Sequence, residues 1–310
     1  SAVGAFVPED KLTNADLEKM VDTNDEWILA RTGIKERRIL KDPTKGSSFM
    51  AIKAVEDLLK RRKINPTEID AVIFATITPD MNVAATAAYV ASEIGATNAF
   101  GYDLQAACSG FLYGMSNASN MIASGRYQKV LLIGADKMSS IVDYTDRTTC
   151  VIFGDGAGAV LFEASESGYG WEDEYLRSDG NGRMFLNIKA GGSMHPTSTD
   201  TLKKGMHNLY QDGKSVFKYA VSEMTKAAEE ILQRNEMKSN SISYLVPHQA
   251  NKRIIDATAN RMGVGPEKVL LNIEKYGNTT AGTIPLCLWD FEKSFKKGDN
   301  LILAAFGGGF

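Results

Sequence analysis

The sequence predicts an α/β protein built from two related halves. In a first internal alignment, the segment 56–76 matches 229–249, and both segments contain a helix end, a turn and an apolar strand. In a second internal alignment, 108–134 matches 279–305, where a helix leads through glycine and a basic residue into a strand. Self-similarity of this kind indicates a duplicated supersecondary unit. The alternation of helices and strands predicts sheets that are covered by helices.

The first half, placed at residues 1–165, contains a helix and two clear strands. Apolar runs at 71–76 and 130–134 have the length of buried strands. The helix before them has an apolar stripe with helical spacing, formed by Phe49, Ile52, Val55 and Leu59.

The second half, placed at residues 166–310, repeats this order after an insertion. The insertion at about 166–213 is rich in Gly, Ser, Asp and Asn, which predicts loops and short strands over one face. Both ends of the chain look clipped, so we expect further segments beyond them. The helix of this half has its own apolar stripe, formed by Ala220, Met224, Ala227 and Ile231.

Composition and charge restrict the function before any motif is considered. Hydrophobic residues make up 44% of the 310 residues, as in a folded globular protein. The formal charge of −3 offers no broad basic surface for nucleic acid. Apolar runs have strand length and no leader opens the chain, so we expect a cytoplasmic protein that does not enter the membrane.

The three cysteines, Cys108, Cys150 and Cys287, form no CxxC pair. Their odd number and wide spacing argue against a disulfide framework or a zinc site, and no metal is expected. Cys108 differs from the others because small residues surround it in AACSG, at the predicted start of a helix. The positive end of the helix dipole predicts a lowered pKa for this thiol and a thiolate at neutral pH. We interpret Cys150 and Cys287 as core residues.

Two further residues belong with Cys108 if pseudo-symmetry relates the halves. His248 follows an apolar strand in VPHQAN and should project beyond the end of the sheet. Asn278 lies in KYGNTTAG, in the segment equivalent to that of Cys108, where Thr279 and Thr280 can cap the next helix. Taken singly, the histidine is more often structural and the asparagine forms a turn. Because the repeat brings the two helix starts together, thiol, imidazole and amide are predicted to converge.

Six phrases of the sequence carry a resemblance to one protein family. They are DLQAACSGFLYG, VPHQANKRI, YGNTTAGTIP, AFGGGF, DEWILARTGIKERRI and RTTCVIFGDGAGAV, and they span essentially the whole chain. They resemble the ketoacyl-acyl-carrier-protein synthase III family of condensing enzymes. The resemblance implies a thiolase-like fold, in which two pseudo-symmetric α/β halves form a layered αβαβα core. In this superfamily Cys, His and Asn together are typical of initiating synthases and plant-type polyketide synthases. The DEWILARTG and GNTTAG phrases favour the former.

The resemblance implies a role for each predicted catalytic residue. Cys108 is similar to the nucleophile that accepts the acyl group, and the backbone N–H groups of Cys108 and Gly308 are implied as its oxyanion hole. His248 and Asn278 are similar to the pair that binds the malonyl thioester carbonyl, where an enolate oxygen needs neutral hydrogen-bond donors. The implied reaction is the decarboxylative Claisen condensation of an acyl-CoA primer with malonyl-acyl-carrier protein, which initiates fatty-acid synthesis.

Two groups of residues match the family positions that bind coenzyme A. Acyl-CoA is a substrate here, and no cofactor is implied, because GDGAG leads into a strand and not into the helix of a dinucleotide fingerprint. Thr148 replaces a frequent glycine beside the nucleotide site. An indole and a guanidinium can stack on adenine. The nucleotide end matches Trp27, Arg31, Thr32 and Arg147, and the pantetheine tunnel matches Phe217, Ala250 and Asn251.

The acyl pocket is implied to depend on a homodimer. By ungapped spacing to Cys108, Val83 falls where some family members carry a phenylalanine that reaches across the dimer and floors the partner's pocket. Valine predicts room for longer or branched primers, unless Phe153 or Phe306 fills the space. The region 83–89 is expected near the subunit contact.

Basic residues are expected near the tunnel mouth, where the acidic carrier protein would dock. Their alternative role is that of ordinary surface charges. They are Lys218, Arg253 and Arg261.

Three alternative functions remain open from the residues. Papain-type cysteine hydrolases also use Cys, His and Asn, although the duplicated α/β pattern disagrees with them. A scaffold that binds carrier protein could retain the fold without catalysis. A related condensing enzyme of polyketide or secondary metabolism would share the same motifs.

Overall fold

The structure, a computed structural model, describes residues 1–308, so Gly309 and Phe310 at the end of the AFGGGF phrase lie outside the described residues. The strands of the described part are β1 (Ala2–Phe6), β2 (Lys11–Thr13), β3 (Glu36–Arg38), β4 (Ala71–Ala75), β5 (Phe100–Leu104), β6 (Lys129–Lys137), β7 (Asp155–Glu163), β8 (Leu186–Asn187), β9 (Tyr210–Gln211), β10 (Tyr244–Pro247) and β11 (Leu301–Ala304). Its α-helices are α1 (Asn14–Leu17), α2 (Asp25–Thr32), α3 (Ser47–Arg62), α4 (Thr86–Glu93), α5 (Gly110–Ala123), α6 (Thr199–Lys203), α7 (Gly213–Arg234), α8 (Lys252–Met262), α9 (Ile273–Tyr276) and α10 (Thr283–Asp290).

A five-stranded sheet with the order β1-β7-β6-β4-β5 forms the centre of the first half. β4 is parallel to β5 and β6, whereas β7 is antiparallel to β1 and β6. All five residues of β4 are buried. A strand that is covered on both faces needs no polar alternation, which explains its continuous apolar sequence AVIFA.

The second half repeats the centre of this sheet. β10 and β11 are parallel, and Leu245 of β10 also bridges Val269. Ala71 pairs with Val130 in the first sheet, and Tyr244 pairs with Leu301 in the second. Ala71 is matched to Tyr244 in the first internal alignment, and Val130 is matched to Leu301 in the second. The prediction of two related α/β halves is therefore confirmed at the level of strand register.

Helices separate and cover the two sheets in five layers. α3 and α4 pack on the outer face of the first sheet, and α7 and α8 pack on the outer face of the second. α5 and α10 lie between the sheets, where Phe111 and Ile284 contact the inner faces of both halves. The predicted αβαβα arrangement is thus confirmed, and the middle helix layer brings residues of both halves together.

The insertion consists of loops, the helix α6 and the short antiparallel pair of β8 and β9. Its Leu209 N–H donates to the carbonyl oxygen of Ile141 over 2.8 Å, which fixes it to the first half. Leu186 of β8 lies against the glycine turn at Gly308. The insertion therefore covers the region that follows β11. Within residues 1–308, no helix has the length and apolar character needed to cross a bilayer.

Candidate active site

Cys108 lies in a sharp turn between the first sheet and the middle helix layer. β5 ends at Leu104, a 3₁₀ turn covers Ala107–Ser109, and α5 begins at Gly110. Ala107 has a φ of 46°, in the left-handed region that residues other than glycine seldom adopt. This backbone reverses the chain directly before Cys108. The thiol is consequently held at the start of α5 and is 5% exposed.

An equivalent turn begins α10 in the second half. Thr280–Gly282 form a 3₁₀ turn, and Thr280 has a φ of 54°. The shared left-handed backbone makes Thr280 the structural equivalent of Ala107, so Cys108 corresponds to Ala281 and not to Thr279. The second internal alignment is therefore out of register at the helix start, although it is correct for the strand that follows.

The two turns meet over β6. A Cβ atom on Gly134 of β6 would lie 2.3 Å from the carbonyl oxygen of Ala281, so only glycine permits this approach. The turns at 107–109 and 280–282 contact each other directly. The helix starts of the two halves are thereby placed side by side.

His248 follows the end of β10 and is joined to the second turn. Its N–H donates to the carbonyl oxygen of Ala304 over 2.7 Å. Its ring Nδ1 lies 2.6 Å from the Thr283 hydroxyl, at the first residue of α10. The side chain is buried, and burial lowers the pKa of His248 to about 3. The imidazole is therefore neutral at physiological pH.

Asn278 lies immediately before the second turn. Its N–H donates to the Ile152 carbonyl oxygen over 2.9 Å, and its own carbonyl oxygen accepts from the Gly154 N–H over 3.1 Å, on either side of a bridge to Phe153. The side-chain Oδ1 accepts from the Thr280 N–H over 2.8 Å. The amide NH₂ group is consequently the part of the side chain that is left to donate to a ligand.

The expected lowering of the Cys108 pKa is wrong in this structure. Burial raises the pKa of the thiol to about 12, and the nearby Asp136 carboxylate adds to the rise. Hydrogen bonds from the backbone N–H groups of Cys108 and Gly308 oppose the rise but do not reverse it. A desolvated thiolate is costly, and this cost exceeds the help from the helix start.

Asp136 is a buried acid that sequence reasoning missed. Its carboxylate accepts from the Thr76 hydroxyl over 2.8 Å, from the backbone N–H groups of Ile77 and Thr78 over 2.8 and 3.1 Å, and from the Ala281 N–H over 3.3 Å. Burial raises the pKa of Asp136 to about 6. The residue ties β4 and β6 to the turn at 280–282. Its position within the apolar run VLLIGADK was the available signal.

The glycine turn after β11 closes the site from the other side. A Cβ atom on Gly307 would lie 2.9 Å from the backbone nitrogens of both Cys108 and Ser109. The backbone N–H groups of Cys108 and Gly308 both act to lower the pKa of the Cys108 thiol, against the larger effect of burial. The glycine turn and the cysteine turn therefore place two backbone donors beside the thiol.

Comparison with known proteins identifies the family. The 3-oxoacyl-[acyl-carrier-protein (ACP)] synthase III family matches residues 102–180, and its C-terminal region matches residues 232–310. The beta-ketoacyl-[acyl-carrier-protein] synthase III of Phocaeicola vulgatus is 54% identical over 310 residues, covering 100% of this chain and 93% of the relative. The chain belongs to the 3-oxoacyl-[acyl-carrier-protein] synthase III family.

Other members of the synthase III family agree with this assignment. The enzyme of that name from Chlorobaculum tepidum is 55% identical over 309 residues, covering 98% of this chain and 94% of the relative. The crystal structure of the Aquifex aeolicus VF5 synthase III aligns with a TM-score of 0.91 and 40% identity, covering 100% of this chain and 96% of that chain. The resemblance and the thiolase-like fold are confirmed, and the alternative functions are not favoured.

In this synthase III chain, three of the four residues matched to the nucleotide end of coenzyme A form one cluster. The guanidinium groups of Arg31 and Arg147 lie 5.7 and 5.4 Å from the centre of the Trp27 ring. Arg147 also donates to the Asp22 carbonyl oxygen over 2.8 Å. Both guanidinium groups already contact the indole. A nucleotide base that stacks between the indole and one guanidinium would therefore displace that guanidinium from the ring.

Thr32 does not belong to this cluster. Its hydroxyl donates to the Ile28 carbonyl oxygen over 2.7 Å and accepts from the Ile34 N–H over 3.1 Å, and the side chain is buried. Thr32 therefore stabilises the end of α2, and its contact with coenzyme A stays a prediction. Directly after it, Gly33 lies against Lys252, so α2 packs on the start of α8.

The residues matched to the pantetheine tunnel lie around the end of β10 in this synthase III chain. The Ala250 N–H donates to the His248 carbonyl oxygen over 2.9 Å, and Asn251 caps α8 by accepting from the Arg253 N–H over 2.9 Å. Phe217 of α7 stacks beneath the Arg253 guanidinium, 5.3 Å from its ring centre. Ala250 therefore contacts His248 directly, and Phe217 packs in the same apolar cluster as Ala250.

The residues predicted for the acyl pocket lie in three different places. Val83 is fully exposed on a loop and has a φ of 76°. Phe153 is buried, and its backbone bridges Asn278. Phe306 lines a cavity of about 470 Å³ together with Ser109 and Gly307. Val83, which is fully exposed, is therefore not part of a pocket within this chain.

The predicted docking residues are exposed. Lys218 follows Phe217 in α7, and the Arg253 guanidinium lies over the Phe217 ring from the first turn of α8. Arg261 lies in the last turn of α8, about 12 Å further along the helix axis. Among residues 1–308, no cluster of three or more His, Cys, Asp or Glu side chains is arranged to hold a metal ion.

Gln249 is a second positioning residue that the sequence did not reveal. Its side-chain NH₂ donates to the carbonyl oxygens of Pro247 and Leu270 over 2.7 and 3.1 Å, and its Oε1 accepts from the N–H groups of Asn272 and Ile273 over 3.1 and 3.2 Å. One buried amide thereby links the end of β10 to the segment that leads to Asn278. Its signal was its place beside His248 in VPHQAN.

Proposed function

We propose that Cys108 carries the acyl primer in a condensation that is completed at His248 and Asn278. The chain is an acyltransferase that initiates fatty-acid synthesis by the reaction of its family. The observation that supports the assignment of residues is the contact between the turns at 107–109 and 280–282. We further propose that labour is divided between the halves, with the nucleophile in residues 1–165 and the decarboxylating pair in 166–310.

The first half-reaction transfers the acyl group from acyl-CoA to the cysteine. The Cys108 sulfur attacks the thioester carbonyl and loses its proton, and the departing coenzyme A thiolate takes up a proton. The N–H groups of Cys108 and Gly308 donate to the oxyanion of the tetrahedral intermediate. This pairing is supported by the close approach of the glycine turn to the cysteine turn, where the Cβ position of Gly307 lies 2.9 Å from the Cys108 nitrogen.

The second half-reaction uses the neutral donors. The carbonyl oxygen of the malonyl thioester accepts hydrogen bonds from the His248 imidazole and the Asn278 amide. When carbon dioxide leaves, the electron pair of the broken bond forms an enolate, and these donors stabilise its oxygen. The α-carbon then attacks the acyl thioester, and Cys108 leaves as a thiolate. The low pKa of His248 supports this role, since a neutral imidazole donates without competing as a cation.

The substrates approach along the surface that joins α2, α7 and α8. We propose that Trp27, Arg31 and Arg147 hold the nucleotide end of acyl-CoA, and that the pantetheine arm passes Phe217 toward His248. The packing of Gly33 on Lys252 makes this one continuous surface. Malonyl-acyl-carrier protein would dock on the exposed cations of α7 and α8, Lys218 and Arg253.

We propose that the functional unit is a homodimer that forms along β5. β5 is the edge of the first sheet and pairs with β4 on one side only. An exposed strand edge is a template for pairing with another chain. Large apolar side chains are exposed on β5 itself, on α4, which packs against β5, and on the loop before α4, namely Phe100, Tyr89, Met81 and Val83. Sedimentation should give a dimer at micromolar concentration, and a concentration-independent monomer would refute this part of the proposal.

The experiment that tests the proposal separates the two half-reactions. Intact mass after addition of acetyl-CoA measures the acyl-enzyme, and release of labelled carbon dioxide from malonyl-acyl-carrier protein measures decarboxylation. Cys108→Ala should form no acyl-enzyme. His248→Ala and Asn278→Ala should form it and lose condensation by about 10²- to 10³-fold, the usual effect of losing one preorganised donor.

The same assay discriminates against other assignments. Cys150→Ala is the matched control, because it removes a buried thiol outside the site and should retain both half-reactions. Condensation by Cys108→Ala, or equal loss of both half-reactions in His248→Ala and Asn278→Ala, would contradict the proposal. Release of free acid without carbon dioxide would indicate a hydrolase.

A further inference from the structure

The Thr283 hydroxyl lies between two possible acceptors but can donate to only one of them. Its Oγ1 is 2.6 Å from Nδ1 of His248 and 3.1 Å from the carbonyl oxygen of Thr280. Both side chains are 2% exposed. A hydroxyl donates one hydrogen bond at a time, although it can accept others. The direction of this one bond therefore determines which nitrogen of the buried imidazole carries hydrogen.

Each direction gives His248 a different chemical character. If Thr283 donates to Nδ1, the neutral ring carries its hydrogen on Nε2 and can donate to a ligand. If Thr283 donates to the Thr280 carbonyl, Nδ1 must carry the hydrogen and donate to the hydroxyl, so Nε2 becomes an acceptor. The hydrogen bond at one ring nitrogen sets the state of the other.

We propose that Thr283 is a positioning residue that donates to Nδ1 and fixes His248 as the Nε2–H tautomer. Two observations favour this direction. The Oγ1 to Nδ1 distance is the shorter of the two. The Thr280 carbonyl oxygen already accepts from the backbone N–H of Thr283, so it does not depend on the hydroxyl. The inference rests on the proposed function, because that function requires a donor at the enolate oxygen.

Thr283 is held in place from both sides. It is the first residue of α10, directly after the turn whose Ala281 N–H donates to the buried Asp136. That turn in turn lies on Gly134 of β6, without room for a side chain. The hydroxyl thus occupies a fixed position relative to the first sheet. Its hydrogen bond to Nδ1 fixes the orientation of the His248 imidazole.

Nitrogen-15 NMR of the imidazole side chains tests the tautomer directly. The protein has three histidines, so His248 can be assigned by comparison with the spectrum of His248→Ala. At pH 7 we expect hydrogen on Nε2 and an unprotonated Nδ1. Hydrogen on Nδ1 of His248 in the native enzyme would overturn the proposal, whatever the kinetics show.

Kinetics of two substitutions test the consequence. Thr283→Val removes the hydroxyl and should lower condensation by about 10²-fold, because a mis-set tautomer removes a preorganised donor. Formation of the acyl-enzyme should change by less than about threefold, since no bond to the sulfur is lost. Thr283→Ser restores the hydroxyl and should recover most of the lost condensation.

A matched control separates this role from a structural one. Thr258→Val also removes a buried hydroxyl, in α8 and outside the site, and should leave both half-reactions unchanged. Equal loss of both half-reactions in Thr283→Val, with an unchanged His248 tautomer, would show a merely structural role. If instead His248→Ala retained full condensation, the proposed function itself would be wrong. The NMR experiment would still show whether Thr283 sets the His248 tautomer.

Discussion

The thiol of Cys108 is buried and protonated at rest, although it is the proposed nucleophile. Burial and Asp136 raise its pKa to about 12. Only the thiolate is nucleophilic, so a small thiolate fraction at neutral pH limits unassisted reaction with a reagent. Reaction with acyl-CoA is expected to be faster than with such a reagent. As the sulfur–carbon bond forms, the thioester carbonyl becomes an oxyanion, and the backbone N–H groups of Cys108 and Gly308 stabilise that charge.

This burial predicts the pH dependence of Cys108 alkylation. Far below the pKa, the thiolate fraction rises about tenfold for each pH unit. The rate of modification by iodoacetamide, followed by intact mass, should therefore increase steadily from pH 7 to pH 9. The Cys108→Ala protein gives the background from Cys150 and Cys287, which are also buried. If the rate rises with pH but reaches a plateau before pH 8, the Cys108 pKa lies below 8. That result would show that the helix start lowers the pKa by more than burial raises it.

His248 predicts a loss of stability in mild acid. The unfolded histidine has a pKa near 6.5, whereas burial lowers the folded pKa to about 3. Between these values the unfolded chain binds a proton that the folded protein does not bind, so the free energy of unfolding falls as pH falls. The contribution is complete above pH 6.5 and decreases by about 1.4 kcal/mol for each pH unit below it.

Urea unfolding at pH 7, 6 and 5 measures this contribution. In His248→Gln the side chain at position 248 cannot bind a proton. The number of protons taken up on unfolding in mild acid should therefore be about one smaller than for the native protein, and the stability should vary less with pH. Identical slopes for native protein and His248→Gln would disprove the low folded pKa.

For single residues, motifs in the sequence predicted the candidate catalytic side chains. They did not predict the residues that act by positioning those side chains. Cys108 and Asn278 stand in small-residue and turn phrases that have local meaning. Thr283, by contrast, contacts His248 across 35 residues, and Asp136 contacts Ala281 across 145. Such contacts depend on the packing of two halves, which no local pattern encodes. The capping role expected for Thr279 and Thr280 was also wrong, because α10 has no side-chain cap.

At the scale of elements, apolar periodicity found the helix α3 but placed its buried face one residue off, whereas Ala220 and Met224 of the α7 stripe are buried as predicted. In α3 the predicted stripe of Phe49, Ile52, Val55 and Leu59 includes one fully buried residue, Val55, and three at the border of the core. The centre of the face is formed by Ala51, Ala54 and Leu58. Alanine is weakly hydrophobic, yet close helix–sheet packing favours it, and a pattern that counts large side chains misses this.

The glycine turn after β11 predicts a sharp steric effect on the site. Gly307→Ala would place a Cβ atom 2.9 Å from the backbone nitrogens of Cys108 and Ser109. Either the cysteine turn or the glycine turn must move. The N–H groups of Cys108 and Gly308 would then no longer both reach the oxyanion of the tetrahedral intermediate. We expect kcat to fall by about 10²-fold or more, with a smaller change in KM for acyl-CoA.

Gly170→Ala provides the control, because nothing lies within 4 Å of its Cβ position and its backbone is not left-handed. Its kinetics should equal those of the native enzyme. Thermal unfolding of both variants separates a local shift from a loss of fold. Native turnover by Gly307→Ala would show that the turn has freedom to adjust and that its position does not set the oxyanion hole.

At the scale of the whole molecule, the duplication places the site between the halves. The middle layer of α5 and α10 has one helix from each half, and their two starting turns meet over Gly134. The sequence repeat predicted this layered arrangement because the aligned segments contain the strands that pair in each half. The loops and short strands predicted for the insertion are confirmed, but the positions of β8 and β9 were not predicted, because these short strands lack a periodic pattern of their own.

The same scale governs the choice of primer, through Val83 and the proposed dimer. Val83 is fully exposed within one subunit and has a φ of 76°, a backbone conformation that is strained for a β-branched residue. An exposed and strained apolar residue beside an open strand edge fits a loop that is completed by a second subunit. If the loop enters the partner's pocket, the size of residue 83 sets the depth of that pocket.

Val83→Phe should therefore narrow the range of primers without affecting acetyl-CoA. Each methylene that no longer fits is worth roughly 1–3 kcal/mol in discrimination, so kcat/KM should fall for hexanoyl- and octanoyl-CoA and remain within about twofold for acetyl-CoA. Leu202→Phe is the control, because it adds an aromatic ring at another exposed position, in α6, and should change none of these values. The measurement is a set of specificity constants for acetyl-, isobutyryl-, hexanoyl- and octanoyl-CoA. A strict preference for acetyl-CoA that Val83→Phe leaves unchanged would show that another wall, such as Phe306, limits the pocket.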